Sequence, residues 1–146
     1  MPDTVPCFRH TLRVYWEDTD AGGVVFYANY LKFFERARTE WLRSLGFGQE
    51  RLRAETGAIF IVSDTTVRYV RPARLDDLVD VTVEVREAGR ASLLIAQQAI
   101  RCDAARDEEL LAEGTIRIAC VDAGTFRLRR IPTDVLAALE PEQDTR

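Results

Sequence analysis

The residues most suited to chemistry in this 146-residue sequence lie in the stretch EDTDAGGVVFYANY, from Glu17 to Tyr30. This stretch contains three carboxylates, two adjacent glycines and three aromatic side chains. Carboxylates can act as general bases or nucleophiles, and glycines let a backbone turn sharply and approach a substrate closely. The composition therefore predicts either a reactive loop or a turn that its aspartates hold together through their own side chains.

The patterns on either side of this loop predict the elements that position it. Alternation before the loop predicts a β-strand, with one face formed by Phe8, His10, Leu12, Val14 and Trp16. After the loop, apolar residues recur every three to four positions between Leu31 and Leu45, which predicts one long amphipathic helix. Asn29 is its predicted N-cap, and the chain should enter the helix soon after Val25.

The remainder of the chain is rich in β-strand signals. Four strands are predicted at about 58–70, 78–87, 91–102 and 110–122. A short helical piece is predicted at about 48–55 and a closing helix from Thr133. One strand, one long helix and four successive strands predict an α+β fold in which an antiparallel sheet packs on the helix. Residues 1–146 should form a single domain, with a polar tail from about residue 141.

One helix can cover only one face of such a sheet. The opposite face and the sheet edges must then be solvated or paired with another chain. Because many strand positions are apolar, we expect pairing into a homodimer.

Composition excludes several classes of function. The net charge is -4 and basic residues form no consecutive block, so nothing predicts binding to nucleic acid or to an anionic membrane. No apolar run approaches the ~18 residues of a membrane span, and no signal peptide is recognisable. Cys7, Cys102 and Cys120 are scattered and His10 is the single histidine, so we expect no disulfide framework and no metal site. The expected compartment is the cytoplasm.

The ordered pattern D-x-D-x-x-G-x-V, followed by an aromatic pair, Asn-Tyr and a long helix, resembles the hotdog-fold thioesterases. Residues 13–47 look most like the YbgC-type, Tol-Pal-associated acyl-CoA thioesterases, which are relatives of the 4-hydroxybenzoyl-CoA thioesterases. The resemblance continues through 67–81 and 89–100. It implies a hotdog fold, in which a sheet of about five antiparallel strands wraps around one long helix. It also implies homodimers that assemble into homotetramers.

The resemblance assigns roles within the loop. Asp20 matches the catalytic carboxylate, which acts either as a base that activates water or as a nucleophile. The main-chain N–H of Tyr27 matches the donor to the oxyanion, and Gly23 and Val25 belong to the substrate-binding loop. Many YbgC-type members carry His where this chain has Tyr27, whereas the 4-hydroxybenzoyl-CoA enzymes carry Tyr.

The resemblance also suggests the substrate contacts outside the loop. Arg90 and Ser92 match a turn that contacts coenzyme A, and Ser63 lies in a strand that borders the acyl pocket. The implied substrate is acyl-CoA, or the same acyl group on an acyl carrier protein, and no cofactor is required.

Two carboxylates near Asp20 have alternative interpretations. Asp18 is expected to anchor the loop. Glu35 occupies a helix position that other hotdog thioesterases use for catalysis, but here an ion pair with Arg36 or Arg38 is the preferred interpretation.

Other functions fit the same fold. A hotdog domain can bind an acyl chain or a carrier protein without turnover, or serve as an assembly scaffold. A dehydratase is less favoured, because those enzymes pair a histidine with a carboxylate and His10 lies outside the motif.

Overall fold

The computed structural model describes residues 8–102 and 108–139. Its elements in chain order are β1 (Phe8–Arg13), α1 (Asn29–Ser44), α2 (Gln49–Thr56), β2 (Ala58–Tyr69), β3 (Leu78–Ala88), β4 (Ser92–Cys102), β5 (Glu109–Asp122) and α3 (Thr133–Leu139). The last four strands agree with their predicted ranges to within one residue. The predicted polar tail and Cys7 lie outside the described residues.

The five strands form one antiparallel sheet in the order β1-β3-β4-β5-β2. The predicted α+β class is therefore confirmed. β1 and β2 are the edges of this sheet, and β2 is a twelve-residue strand. In the described part of the chain, no helix is long and apolar enough to cross a membrane.

Helix α1 packs its apolar face against the sheet. Its buried apolar side chains are Tyr30, Phe33, Phe34, Ala37, Trp41 and Leu42. Burial of each large side chain contributes about 1.5–3 kcal/mol. The predicted helical face was partly wrong, since Leu31 is 45% exposed and Leu45 is 36% exposed. The sheet covers a stripe centred on Phe33 and Ala37, so the two leucines lie at the margins of the contact.

Strand β1 is shorter than its alternation predicted. It ends at Arg13, and Trp16–Asp18 form a 3-10 turn in which Trp16 is 81% exposed. The turn forms because the carboxylate of Asp18 accepts the Tyr15 N–H at 2.8 Å, and this bond competes with continued strand pairing.

A buried polar chain ties α1 to the middle of the sheet. Arg38 donates to Oε1 of Gln97 at 2.9 Å, and Nε2 of Gln97 donates to the carbonyl oxygens of Phe34 and Thr82. Burial lowers the pKa of Arg38. The predicted ion pair of Glu35 with Arg36 or Arg38 does not form among the described residues. Glu35 instead accepts a hydrogen bond from Thr39 at 2.8 Å.

Gly114 lets β2 and β5 approach closely. A Cβ at this position would overlap the carbonyl oxygen of Thr66 and lie 3.2 Å from Cα of Val67. Both neighbours are backbone atoms, so they cannot move aside without disturbing the sheet.

Replacement of Gly114 by alanine should therefore destabilise the protein by about 1–3 kcal/mol, through overpacking between the strands. Urea unfolding would measure the loss. Gly48→Ala is the matched control, because no atom lies within 4 Å of its Cβ position and its φ is -61°. A Gly114→Ala protein as stable as this control would contradict the predicted close packing.

Candidate active site

Asp18 holds the reactive loop in place. It is 5% exposed, Oδ2 accepts the Tyr15 N–H and Oδ1 accepts Nδ2 of Asn29, both at 2.8 Å. Its carbonyl oxygen accepts the Phe26 N–H at 3.0 Å. The predicted anchoring role of Asp18 is thus confirmed, and both carboxylate oxygens are engaged. This carboxylate is not free for chemistry.

The same bonds correct the predicted helix start. Asn29 is the first residue of α1, and its side chain bonds to Asp18 where an N-cap would have bonded to the helix. The N-cap residue is Ala28, which makes no side-chain capping bond. The chain also enters the helix later than expected, because residues 26–28 form a turn first.

Asp20 lies at the exposed end of the loop. Its Oδ1 accepts the Gly22 N–H at 2.8 Å, and its own N–H donates to the carbonyl of Val24 at 2.9 Å. Gly23 closes the turn with a φ of +81°, a conformation that glycine adopts without strain. The loop orients Asp20 through one carboxylate oxygen. Among the described residues, the other oxygen has no hydrogen-bond partner.

Val25 connects the loop to the segment between β2 and β3. It is buried, it donates to the carbonyl of Ala73 at 2.8 Å, and it pairs with Thr19 across the loop. This pairing brings the two ends of the loop together. Asp20, which follows Thr19, and the segment that leads into α1 from Val25 therefore start side by side.

The main-chain N–H of Tyr27 precedes α1 by two residues. Within the described part of the chain, neither this N–H nor that of Ala28 has an acceptor. The helix dipole places partial positive charge at this end, which favours an anionic oxygen. The arrangement can stabilise an oxyanion.

An open apolar pocket of about 310 Å³ adjoins this helix end. Its lining residues are Val25, Tyr27, Tyr30, Tyr69, Val70, Arg71 and Pro72. The rings of Tyr27 and Tyr69 meet edge to face, with their centroids 5.9 Å apart. The hydroxyl oxygen of Tyr30 accepts the Ala73 N–H at 3.2 Å. Burial raises the pKa of Tyr30 and of Tyr69, so both phenols are neutral at physiological pH.

The three predicted contact residues lie away from the loop, near the middle of β2 and at the β3–β4 turn. Ser63 sits at a bulge in β2 and donates to the carbonyl of Arg117 at 3.3 Å. Ser92 accepts from the side chain of the same Arg117 at 3.4 Å, and exposed Arg90 lies in the β3–β4 turn. Ser63 precedes Tyr69 by six residues, which is about 20 Å along a strand. One subunit therefore does not bring these residues to Asp20.

Two groups of residues were not recognised from the sequence: Tyr69 at the pocket, and the arginines that follow β5. Tyr69 looked like an ordinary strand residue, and only the structure shows its ring beside Tyr27. Arg127 and Arg130 are exposed in the segment after β5. Ile131, the neighbour of Arg130, donates its N–H to the Arg90 carbonyl at 2.8 Å. The cluster of three arginines within 127–130 was a signal that could have been used.

A group of potential metal ligands, Asp80, Cys102 and Glu108, lies away from this loop. Arg9 forms ion pairs with both carboxylates, at 3.2 Å and 2.8 Å. Burial and the neighbouring Asp80 raise the pKa of Cys102 to about 11, so its thiol stays protonated at neutral pH. These features favour an ion-pair cluster over a metal site. That the protein uses no metal stays a prediction.

Comparison with known proteins identifies the class and then the family. The fold is the predicted hotdog fold: a DHNA-CoA thioesterase from Staphylococcus aureus superposes with a TM-score of 0.85 at 23% identity, over 94% of this chain and 91% of that chain. Residues 14–139 match the model of the thioesterase-like superfamily, and the chain belongs to this family.

Two relatives in sequence support the same classification. The chain is 44% identical to acyl-CoA thioesterase YbgC of Haemophilus influenzae, over 90% of this chain and 93% of the relative. It is 42% identical to acyl-CoA thioester hydrolase YbgC of Escherichia coli O6:H1, over 89% and 93%. The predicted family and the predicted enzyme class, a thioesterase, are confirmed.

The anchoring role of Asp18 can be tested by stability. Asp18→Ala would leave the Tyr15 N–H and the buried amide of Asn29 unpaired, so we expect a loss of about 1–3 kcal/mol in the free energy of unfolding. Chemical denaturation would measure it. Glu17→Ala is the control, because this neighbouring carboxylate is exposed and should change stability by less than about 0.5 kcal/mol. Equal effects of the two changes would contradict the anchor.

Proposed function

We propose that this protein hydrolyses acyl-CoA to a free acid and coenzyme A, with Asp20 and the Tyr27 amide as its catalytic groups. The observation that carries the proposal is the loop itself. It presents one oriented carboxylate close in the chain to a helix start whose main-chain N–H groups lack acceptors among the described residues. Thioester hydrolysis needs both parts, an activated oxygen nucleophile and donors for the carbonyl oxygen.

Asp20 supplies the first part. The Gly22 N–H orients one carboxylate oxygen, and the other oxygen takes part in the reaction. As a general base, it removes a proton from the water that attacks the thioester carbon. As a nucleophile, it forms a mixed anhydride and expels the CoA thiolate, and water then cleaves the anhydride.

The Tyr27 N–H supplies the second part. The carbonyl oxygen of the thioester becomes negative as the tetrahedral intermediate forms, and a preorganised main-chain donor at a helix N-terminus stabilises that charge. A main-chain donor does not depend on the side chain, so a tyrosine serves where other members carry histidine. The adjoining pocket, with Tyr27, Tyr30 and Tyr69 in its walls, receives the acyl group.

The active site is completed by a second subunit. β2 is an edge strand whose central residues 61–66 are exposed, and an uncovered edge of this length favours pairing with another chain. Antiparallel pairing of two β2 edges reverses one subunit relative to the other. It therefore carries the partner's Arg90 and Ser92 toward the Asp20 end, while Ser63, near the middle of β2, stays close to the axis that relates the two strands.

Arginines at that end suit the phosphates of coenzyme A. Arg90, Arg127 and Arg130 are exposed, and none of them forms an ion pair within the described residues. Arginine binds phosphate through a planar set of donors. Ser92 would add a hydroxyl contact, and Ser63 would border the acyl group. No cofactor takes part.

The proposal also includes the assembly of the subunits and the carrier that brings the acyl group. Dimers joined through β2 pair further into homotetramers, and the enzyme acts in the cytoplasm on CoA esters. Acyl carrier protein is the alternative carrier, because the thioester and its pantetheine arm are chemically the same in both. Support for a turnover function over a binding or scaffold role comes from the thioesterase relatives.

Asp20→Asn should lower kcat for CoA release by about 10²–10⁴-fold, the usual contribution of a positioned base. Release of free thiol from short, long and aromatic acyl-CoAs would measure it and rank the substrates. Glu17→Gln is the matched control, since it removes a neighbouring exposed carboxylate. Unchanged turnover in the Asp20→Asn enzyme would refute the catalytic assignment.

A single turnover in ¹⁸O-labelled water tests the anhydride route for Asp20. Label in the carboxylate of Asp20 indicates the anhydride route, because a general base does not exchange its own oxygens. Label found only in the product acid shows that water attacked the acyl carbon, and this result excludes hydrolysis of an anhydride at the Asp20 carbon.

A further inference from the structure

We propose that Phe126 of one subunit forms a wall of the acyl pocket of the partner subunit. This inference rests on the proposed dimer and on the proposed function. It concerns the turn that follows β5, residues 122–128, which none of the assigned roles explains.

This turn is rigidly built. Oδ2 of Asp122 accepts the N–H groups of Gly124 and Thr125, both at 3.0 Å, and the Thr125 hydroxyl at 3.3 Å. These bonds lower the pKa of Asp122. The N–H of Phe126 donates to the Asp122 carbonyl at 2.7 Å. Hydrogen bonds within the turn therefore define its conformation.

The rigid turn displays two large apolar side chains to solvent. Phe126 is 64% exposed and Leu128 is 69% exposed. Phe126 also has a φ of +61°, a left-handed conformation that a bulky residue adopts only at a cost of about 1–3 kcal/mol. A strained, exposed aromatic on a fixed support is a feature of interaction surfaces.

The position of the turn identifies its partner. The Ala123 N–H donates to the Gly57 carbonyl at 2.8 Å, and Asp122 pairs with Ala58, the first residue of β2. If two β2 edges align antiparallel over their whole length, Ala58 of one subunit lies opposite Tyr69 of the other. Adjacent strands are about 4.8 Å apart, so Asp122 then lies about 10 Å from the partner copy of Tyr69.

The Phe126 N–H donates to the Asp122 carbonyl, so the Phe126 side chain begins close to Asp122 and can span this distance. Tyr69 and Val70 are exposed in one subunit and line the open side of the pocket. A phenylalanine from the partner would cover apolar surface on both sides and narrow the pocket around the acyl group. The second copy of this chain is therefore the occupant that the turn fits.

A cross-linking experiment tests the contact without using activity. In a chain whose native cysteines are replaced by alanine, Phe126→Cys and Val70→Cys are introduced together and treated with a short bismaleimide. Covalent dimers should form in the double variant and not in either single variant. Absence of dimers in the folded double variant, or equal yields in the single variants, would overturn the proposal.

Activity in mixed dimers tests the consequence for the site. Phe126→Ala should lower kcat/KM for the preferred acyl-CoA by about tenfold, and Phe126→Leu, which keeps apolar bulk, should recover most of it. Leu45→Ala, which truncates an exposed leucine at the far end of α1, is the control and should have no effect. Unchanged kcat/KM in Phe126→Ala would also overturn the proposal.

Co-expression of Asp20→Asn and Phe126→Ala chains with different tags allows their mixed dimer to be purified. If Phe126 acts across the interface, one site keeps both native residues and the mixed dimer has about half of the wild-type activity. If Phe126 serves its own subunit, the activity is at most half that of the Phe126→Ala dimer. Should Asp20→Asn itself stay active, the catalytic assignment fails, and the cross-link alone decides the place of Phe126.

Discussion

The buried hydrogen bond between Asp18 and Asn29 is the interaction on which the geometry of the site depends. Asp18 ends the segment that leaves β1, and Asn29 begins α1. With both carboxylate oxygens engaged, the chain between them has little freedom. The tight turn at Gly23 and the main-chain N–H of Tyr27 are therefore held at fixed places relative to the sheet. A charged group out of water is stable only when it is fully hydrogen-bonded, and this requirement makes the anchor specific.

A second constraint comes from the number of helices. One long helix covers one face of a five-stranded sheet, and the polar chain through Arg38 and Gln97 fixes its position over the central strands. The helix does not cover the edges of the sheet. The exposed β2 edge and the separation of Ser63 and Ser92 from Asp20 are the two observations that support the proposed pairing of two chains.

Much of the fold could be predicted from local patterns. Strong alternation and dense β-branched residues located the four later strands to within one residue, and the 3.6-residue period located α1. The errors occurred where a tertiary contact competed with the local preference. Trp16 continues an alternating pattern, yet the bond from Tyr15 to Asp18 turns the chain there. Asn29 is a residue type that is common at helix N-caps, yet its side-chain amide donates a hydrogen bond to Asp18.

The candidate site divides in the same way. Asp20, Gly23, Val25 and the helix start are neighbours in the sequence, so the motif itself predicted that they act together. Tyr69 lies beside Tyr27 only because of the sheet, and Arg130 lies near Arg90 only because Ile131 bonds to the β3–β4 turn. Side chains distant in the chain meet through strand register, which depends on every residue of both strands.

By itself, the sequence determined the α+β class, the order of its elements and the composition of the reactive loop. Periodicity, turn residues and the types of side chain are local properties that do not depend on the rest of the fold. Tertiary structure alone decided that Asp18 is an anchor while Asp20 is exposed, and that the predicted contact residues Ser63, Arg90 and Ser92 lie away from Asp20 within one subunit. Burial and distance belong to the packed sheet and helix, and no short stretch of sequence specifies them.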